Sequence, residues 1–250
     1  MTHARVALVT GSGKRRVGWY VADELADRGY DIIVHYRHSA AEAAETVASF
    51  RDRGVEAIAI GADLTDETSA RALVEQALAH FGRLDVLVNC AAIWEAKRLE
   101  EVTSADVRRH FEINTLGTFV CSQQAGLAMV KQTEGGCIVT VGDWADVRPY
   151  VNYSAYFVSK AAIPGLTRCL AVELGKRNPK IRVNCVLPGP VMLPPDLPLA
   201  EKLHSIAGTL VQHEGRPENV AQAVLALIDN DFITGVCLPV DGGRSIFAPE

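Results

Sequence analysis

Seven short apolar runs recur along the chain, separated by longer stretches in which apolar residues return at helical spacing. The runs are Val6–Thr10, Ile32–Tyr36, Ala57–Ala62, Val86–Asn89, Cys137–Gly142, Arg182–Leu187 and a last one around Val236–Val240. They are rich in Val and Ile and bounded by Gly, Asp or Pro, which predicts strands. The stretches between them include Val17–Arg28, Ala40–Arg53, Ser69–Phe81, Asp106–Lys131 and Ser154–Gly175, all predicted as amphipathic helices. Near-continuous apolar strands alternating with helices imply a parallel sheet covered on both faces. With right-handed crossovers this is a doubly wound α/β sheet, a three-layer α/β/α sandwich.

One stretch departs from that rhythm. Pro188, Pro190, Pro194, Pro195 and Pro198 precede a helical pattern over Leu199–Val211. An insertion spanning about 188–215 follows the carboxyl end of a strand, where doubly wound sheets bind ligands, and is a candidate substrate lid. The alternative is a structural excursion with no part in closure.

At 250 residues the chain suits a single domain, 1–250. Its net charge of −5 argues against a dedicated nucleic-acid or anionic-membrane binder. No apolar run approaches the ~18 residues of a membrane span, and the first one meets Thr10-Gly11 too early for a signal peptide. Cys90, Cys121, Cys137, Cys169, Cys185 and Cys237 are widely spaced, without a CxxC pair, and read as reduced thiols of a cytoplasmic protein. The seven histidines form no HxxxH or His/Cys cluster, so no metal site is expected.

The first strand runs into Thr10-Gly11-Ser12-Gly13-Lys14-Arg15-Arg16-Val17-Gly18 and then a helix. Glycines at such a junction let a pyrophosphate approach backbone N–H groups at a positive helix end. About 20 residues on, an acid would bond an adenosine ribose and favour NAD. The chain has His35-Tyr36-Arg37-His38-Ser39 instead. Arg37, Ser39 and His35, with Lys14, Arg15 and Arg16 nearby, suit a 2′-phosphate, so NADP(H) is the expected cofactor. Asp63-Leu64, after the third strand, is placed to bond an adenine amine, or Asp63 to cap the next helix. Asn89-Cys90-Ala91-Ala92, after the fourth, lets the backbone lie close to a ribose.

Tyr156 and Lys160 are separated by four residues and share a helix face. An ammonium near a phenol favours the phenolate, which would lower the phenol pKa from about 10 and make it a usable proton donor near neutral pH. Pro164, four residues after Lys160, removes a hydrogen bond to its carbonyl and is placed to bend the helix.

Thr10–Gly18, Asn89–Ala92, Asn114, Tyr156–Lys160, Pro188-Gly189 and Asp241-Gly242-Gly243 occur in this order over essentially the whole chain, which resembles the short-chain dehydrogenase/reductase family. The resemblance implies a Rossmann fold and an NADPH-dependent oxidoreductase. It makes Tyr156 the proton donor, Lys160 its tuner and a ligand of the nicotinamide ribose, and Asn114 the holder of a relay water. The cofactor contacts it implies are Gly11, Lys14, Arg16, Val17, His35, Tyr36, Arg37, Ser39, Asp63, Leu64, Asn89, Ala91, Pro188 and Gly189, besides Tyr156 and Lys160. It also implies pairing of the Asp106–Lys131 and Ser154–Gly175 helices into homodimers or homotetramers.

Asp143 stands where most relatives have Ser, and Arg where the glycine loop usually has its middle Gly. These departures, with the sequence from His35 to Ala43, resemble the pteridine reductases. That resemblance gives Arg16 (or its neighbour Arg15), Trp94, Asp143 and Tyr156 the substrate contacts, with Trp94 stacking on a planar heterocycle and Asp143 relaying a proton. Burial should raise the Asp143 pKa, against the charge of Lys160. Ala92 in place of Ser and the bulk of Trp144 are departures from that subgroup. The expected function is reduction of a pterin-like heterocycle. The alternatives are reduction of 3-oxoacyl thioesters or small ketones, and, in another class, a non-catalytic NADP-binding regulator.

Overall fold

The computed structural model describes residues 4–248, so the first three and last two positions of the expected 1–250 domain lie outside the described residues. Seven strands, β1 (Val6–Thr10), β2 (Asp31–Tyr36), β3 (Ala57–Gly61), β4 (Val86–Asn89), β5 (Gly136–Val141), β6 (Ile181–Pro188) and β7 (Cys237–Val240), form one sheet. The order is β3-β2-β1-β4-β5-β6-β7, and every pairing is parallel. The chain winds outward from β1 in one direction, returns, and winds outward from β4 in the other. The doubly wound expectation therefore holds, with each strand boundary within a residue or so of the predicted one.

The strands alternate between two cores because successive side chains point to opposite faces. Ala7, Val9, Ile32, Val34, Val86 and Val88 pack on one side with α1 (Val17–Asp27), α2 (Ala40–Arg51) and α8 (Pro217–Asp229). Leu8, Ile33, Leu87 and Ile138 pack on the other with α3 (Glu67–Phe81), α5 (Gly117–Val130) and α6 (Ser154–Gly175). On that second side Gly126 of α5 lets α6 approach closely. A Cβ there would stand 2.5 Å from Leu174 Cδ1.

Three predicted helices need correction. The α3 helix begins at Glu67, two residues before the expected start, because Asp66 caps it by accepting from the Thr68 N–H. The stretch 106–131 is not one helix: α4 (Ser104–Phe111) opens on a Thr103/Asp106 capping box, a π turn follows over Glu112–Leu116, and α5 continues from Gly117. In the 188–215 segment, helix α7 (Leu199–Ala207) stops short of Val211. Pro164, by contrast, is accommodated inside the single helix α6, buried against the body.

Candidate active site

All the strands point their carboxyl ends to one edge of the sheet, and the predicted site residues gather there. At the β1 end Gly11 adopts φ +68, and a Cβ on it would lie 3.0 Å from the Ala91 Cα. Only glycine meets both demands. Thr10 Oγ1 accepts from the Cys90 and Ala91 N–H groups at 3.0 and 3.1 Å, locking the loop after β4 against the loop after β1. A Cβ on Gly13 would meet Tyr36 and Ser39, and one on Gly18 would meet the Gly11 carbonyl. Arg16 occupies the N-cap of α1 without a side-chain capping bond, so Val17 opens a helix whose first N–H groups have no side-chain acceptor. The N-terminus of α1, without a side-chain acceptor, thus opens onto a cradle where an anionic group fits.

Basic side chains flank the cradle. Arg37 pairs with Asp63 at 2.7 Å, and Lys14 with Glu42 at 3.5 Å. Arg15 lies over the Trp19 ring at 4.5 Å, on the wall of a groove of about 630 Å³ between α1 and α2. Arg16 makes no side-chain hydrogen bond or ion pair among the described residues. Arg16 lines the same groove beside Arg15.

His35 is the first correction in this region. It is buried, its Nδ1 accepts from the Gly11 N–H at 3.0 Å, and its Nε2 lies 3.1 Å from the Ala62 carbonyl. With both nitrogens spent, the ring braces the glycine loop and meets no phosphate. Its carbonyl accepts from Ser12 and Gly13, tightening the same loop. The capping alternative for Asp63 also falls, because Asp63 accepts from Thr65 instead and leaves the cap to Asp66. The Leu64 side chain is in the core, leaving only its backbone to the site. Asn89 donates to Ser122 at 3.0 Å, while its buried Oδ1 lacks a partner. At the end of β6, Pro188-Gly189 backs onto β7 so closely that a Cβ on Gly189 would lie 2.5 Å from the Asp241 Cα.

The reacting end is built by β5 and α6. The loop after β5 delivers Asp143, whose Oδ1 accepts from the Ala145 N–H at 2.9 Å and whose Oδ2 accepts from the Tyr156 hydroxyl at 2.7 Å. One turn further along α6, Lys160 Nζ donates to the Val141 carbonyl at 2.7 Å. Tyr156 and Lys160 are buried, and Asp143 is half-buried. Desolvation raises the Asp143 pKa against hydrogen bonds from Tyr156 and Ala145 and the charge of Lys160. Desolvation also depresses Lys160, with Asp143 opposing. The expected lowering of the Tyr156 pKa is reversed: burial first, then the Asp143 charge and hydrogen bond, push it well up. The carboxylate, rather than the ammonium, is the phenol's immediate partner.

Asn114 lies in the π turn. Its Oδ1 accepts from the Ile93 N–H at 2.8 Å, and its Nδ2 donates to the Ile93 carbonyl at 3.0 Å and to Ser159 Oγ at 2.9 Å. Both amide hydrogens are thereby committed to tying the β4 loop to α6. Ser159 had no sequence signal beyond its place between Tyr156 and Lys160.

An aromatic wall adjoins Tyr156. Trp94 stacks on Tyr153 at 4.7 Å and 12°, and its Nε1 donates to the Tyr150 hydroxyl at 3.1 Å. Tyr150 in turn stacks at 6.1 Å on Trp144, which Arg244 covers at 4.8 Å. Trp144 is thus a buried wall rather than a plug in the pocket. Burial, then the charge of Glu201 on α7, raises the Tyr153 pKa. A parallel bridge between Val191 and Gly215 joins the two ends of the 188–215 segment. None of the α7 side chains is buried. Contacts across the fold, not local spacing, bring Trp94, Trp144 and Arg244 to Tyr150 and Tyr153 in this wall.

A family model described as enoyl-(acyl carrier protein) reductase matches residues 12–245. The chain belongs to the short-chain dehydrogenase/reductase family. It is similar to a hydroxy(phenyl)methylsuccinyl-CoA dehydrogenase subunit from Thauera aromatica, 33% identical over 249 residues and covering 98% of each chain. In structure it is similar to acetoin dehydrogenase from Enterobacter cloacae, with a TM-score of 0.89, 35% identity and 100% of both chains covered. A short-chain dehydrogenase from Burkholderia cenocepacia in complex with NADP superposes with a TM-score of 0.88 at 36% identity, covering 96% of this chain and 97% of that one. These relatives are reductases and dehydrogenases of the family at large, and the pteridine reductase subgroup is not among them. As a member of the family the protein is an oxidoreductase, which removes the silent-regulator alternative. No described helix is long and apolar enough to cross a membrane.

Proposed function

We propose that this protein is an NADP(H)-dependent carbonyl reductase acting on small ketones or 3-oxoacyl thioesters. The observation that carries it is the buried Tyr156 hydroxyl, held at 2.7 Å by Asp143 beside an aromatic wall at the carboxyl edge of the sheet. Kinship with a hydroxyacyl-CoA dehydrogenase subunit and an acetoin dehydrogenase supports the substrate class. The cradle of Gly11, Gly13 and Gly18 fits a dinucleotide pyrophosphate, and Arg37, Ser39, Lys14 and Arg16 fit the 2′-phosphate.

When bound, NADPH supplies the hydride. This chain's own residues do the rest. Tyr156 donates its proton to the carbonyl oxygen, Asp143 holds the phenol in place and exchanges protons with it, and Lys160 contributes positive charge beneath the pair. Asn114 anchors the β4 loop to α6, which positions Tyr156 and Lys160. We further read the chain as one Rossmann-type domain with 188–215 as its lid. Exposed Leu127, Val158 and Val172 on α5 and α6 support homo-oligomerisation through those helices.

The Asp143–Tyr156 pairing also supports the second reading, reduction of a pterin-like ring, because a carboxyl beside the phenol suits protonation of a ring nitrogen. Against it, Tyr153 already covers one face of Trp94. NADPH oxidation with an acetoacetyl thioester, a small diketone and dihydrobiopterin separates the two. Turnover of the carbonyl compounds alone supports the proposal, and turnover of the pterin alone overturns it in favour of the second reading.

A further inference from the structure

The six cysteines are scattered along the sequence, yet the sheet sets two of them side by side. Cys185 of β6 pairs with Cys237 of β7 in register across the parallel ladder, so their side chains share one face. Beneath α6, Cys185 is fully buried with Ile163 and Leu187, and Cys237 packs on the same cluster. Neighbouring strands lie about 4.8 Å apart, within the roughly 4.4–6.8 Å Cα separation that a disulfide spans.

Their surroundings differ in the way that an attacking and a resolving thiol require. Cys237 is partly exposed on the outermost strand, and Arg168 Nη1 of α6 lies 3.7 Å from its sulfur. The neighbouring Cys185 thiol and the Arg168 charge hold Cys237 below the ordinary thiol range, against burial and Asp146. The same neighbour, then burial, push Cys185 upward.

We propose that Cys185 and Cys237 form a peroxide-sensitive dithiol, with Cys237 attacking and Cys185 resolving. The Cys237 thiolate attacks one oxygen of a hydroperoxide, the O–O bond breaks, and the departing oxyanion takes a proton from solvent to leave as an alcohol or water. The Cys237 sulfur, oxidised by two electrons, is now a sulfenic acid. The Cys185 sulfur then attacks it, the S–S bond forms, the S–O bond breaks, and the hydroxyl leaves as water with the Cys185 proton. Two thiols and one hydroperoxide thus yield a disulfide, an alcohol (or water) and a water. The bond would tie together the two strands that bracket the lid. It would lie beside Thr140, the β5 partner of Cys185 and the residue before the Val141 carbonyl that holds Lys160.

The test uses the whole protein treated with hydrogen peroxide, alkylated under denaturing conditions, and read by intact mass and peptide mapping. A Cys169→Ser background removes the exposed thiol of α6. The expected result is a protein lighter than the untreated alkylated control by two alkyl groups and about 2 Da, a single peptide pair joining Cys185 to Cys237, and full reversal by dithiothreitol. Cys237→Ser should abolish the loss, and Cys185→Ala should drive Cys237 on to sulfinic acid. No cross-link, a cross-link through another cysteine, or arrest of Cys237 as sulfinic acid with Cys185 present would each overturn the proposal. Mapping of the parent protein decides even where a variant fails to fold.

Discussion

The Tyr156 hydroxyl donates to the Asp143 carboxylate at 2.7 Å, from a helix residue to a loop thirteen positions earlier. With Tyr156 buried and Asp143 half-buried, the bond couples their charges. A negative Asp143 opposes loss of the Tyr156 proton, and the Tyr156 hydrogen bond stabilises negative charge on Asp143 against desolvation. Lys160, depressed by its own burial, spends a proton on Val141. The reacting end therefore holds a phenol whose proton is directed at a carboxylate, rather than a phenol made acidic by an ammonium alone.

Replacing Asp143 by Asn keeps the shape and removes the carboxyl. Turnover should fall at least about tenfold, with NADPH affinity unchanged, and unchanged turnover would exclude the relay. The sign of the stability effect is also fixed. A buried carboxyl with a raised pKa binds its proton more tightly folded than unfolded, so stability falls as pH rises from about 3.9 through the elevated value. Thermal melts across that window should show Asp143→Asn gaining stability relative to the parent as pH increases.

His35 gives the opposite pH dependence. Burial lowers its pKa, and its Nδ1 is an acceptor for the Gly11 N–H, so protonation sets a donor against a donor. Its contribution is present above about pH 6.5 and is lost as pH falls through the depressed folded value. The melting temperature of the parent should drop on acidification over this range, and His35→Asn should flatten that limb while lowering stability at neutral pH.

Arg37 and Asp63 face each other at 2.7 Å, both partly exposed, so their pairing adds little stability. In the proposed complex the 2′-phosphate competes for the same guanidinium. Arg37→Ala should weaken NADPH binding by about tenfold or more and leave NADH binding nearly unchanged. Matched binding titrations of the two cofactors read this directly.

The α5–α6 contact offers a test of the packing. At Gly126 a methyl group meets Leu174 at 2.5 Å, so Gly126→Ala should overpack the interface and cost about 1–3 kcal/mol. For a chain of this size that is a fall of several degrees in Tm, about 2–4 °C per kcal/mol. Gly165→Ala on α6, where a Cβ meets open space, should be neutral or stabilising.

The sheet was legible because parallel strands buried on both faces carry unbroken apolar runs. Tyr156, Lys160 and Asp143 were legible because spacing and an unusual acid marked them. His35 was misread because it neighbours Arg37 and His38 in sequence. His35 closes the run Ile32-Ile33-Val34 in a strand buried on both faces, and that position makes it interior. The π turn at 112–116 carries no local mark, since it follows from Asn114 bonding to Ile93 and Ser159 across the fold. Helix α8 was legible and went unread: Pro217 at its start and Val220, Val224, Leu227 and Ile228 at helical spacing announce it. The Cys185–Cys237 contact depends on register between β6 and β7, which separation along the chain conceals.

In the proposed NADPH-dependent carbonyl reduction the Tyr156 hydroxyl delivers the proton. Single-turnover reduction of a diketone by the NADPH-loaded protein, compared with Tyr156→Phe, isolates that step. The reduction rate should fall by at least about a hundredfold, with NADPH affinity retained. A Tyr156→Phe protein that reduces the diketone as fast as the parent would contradict that role.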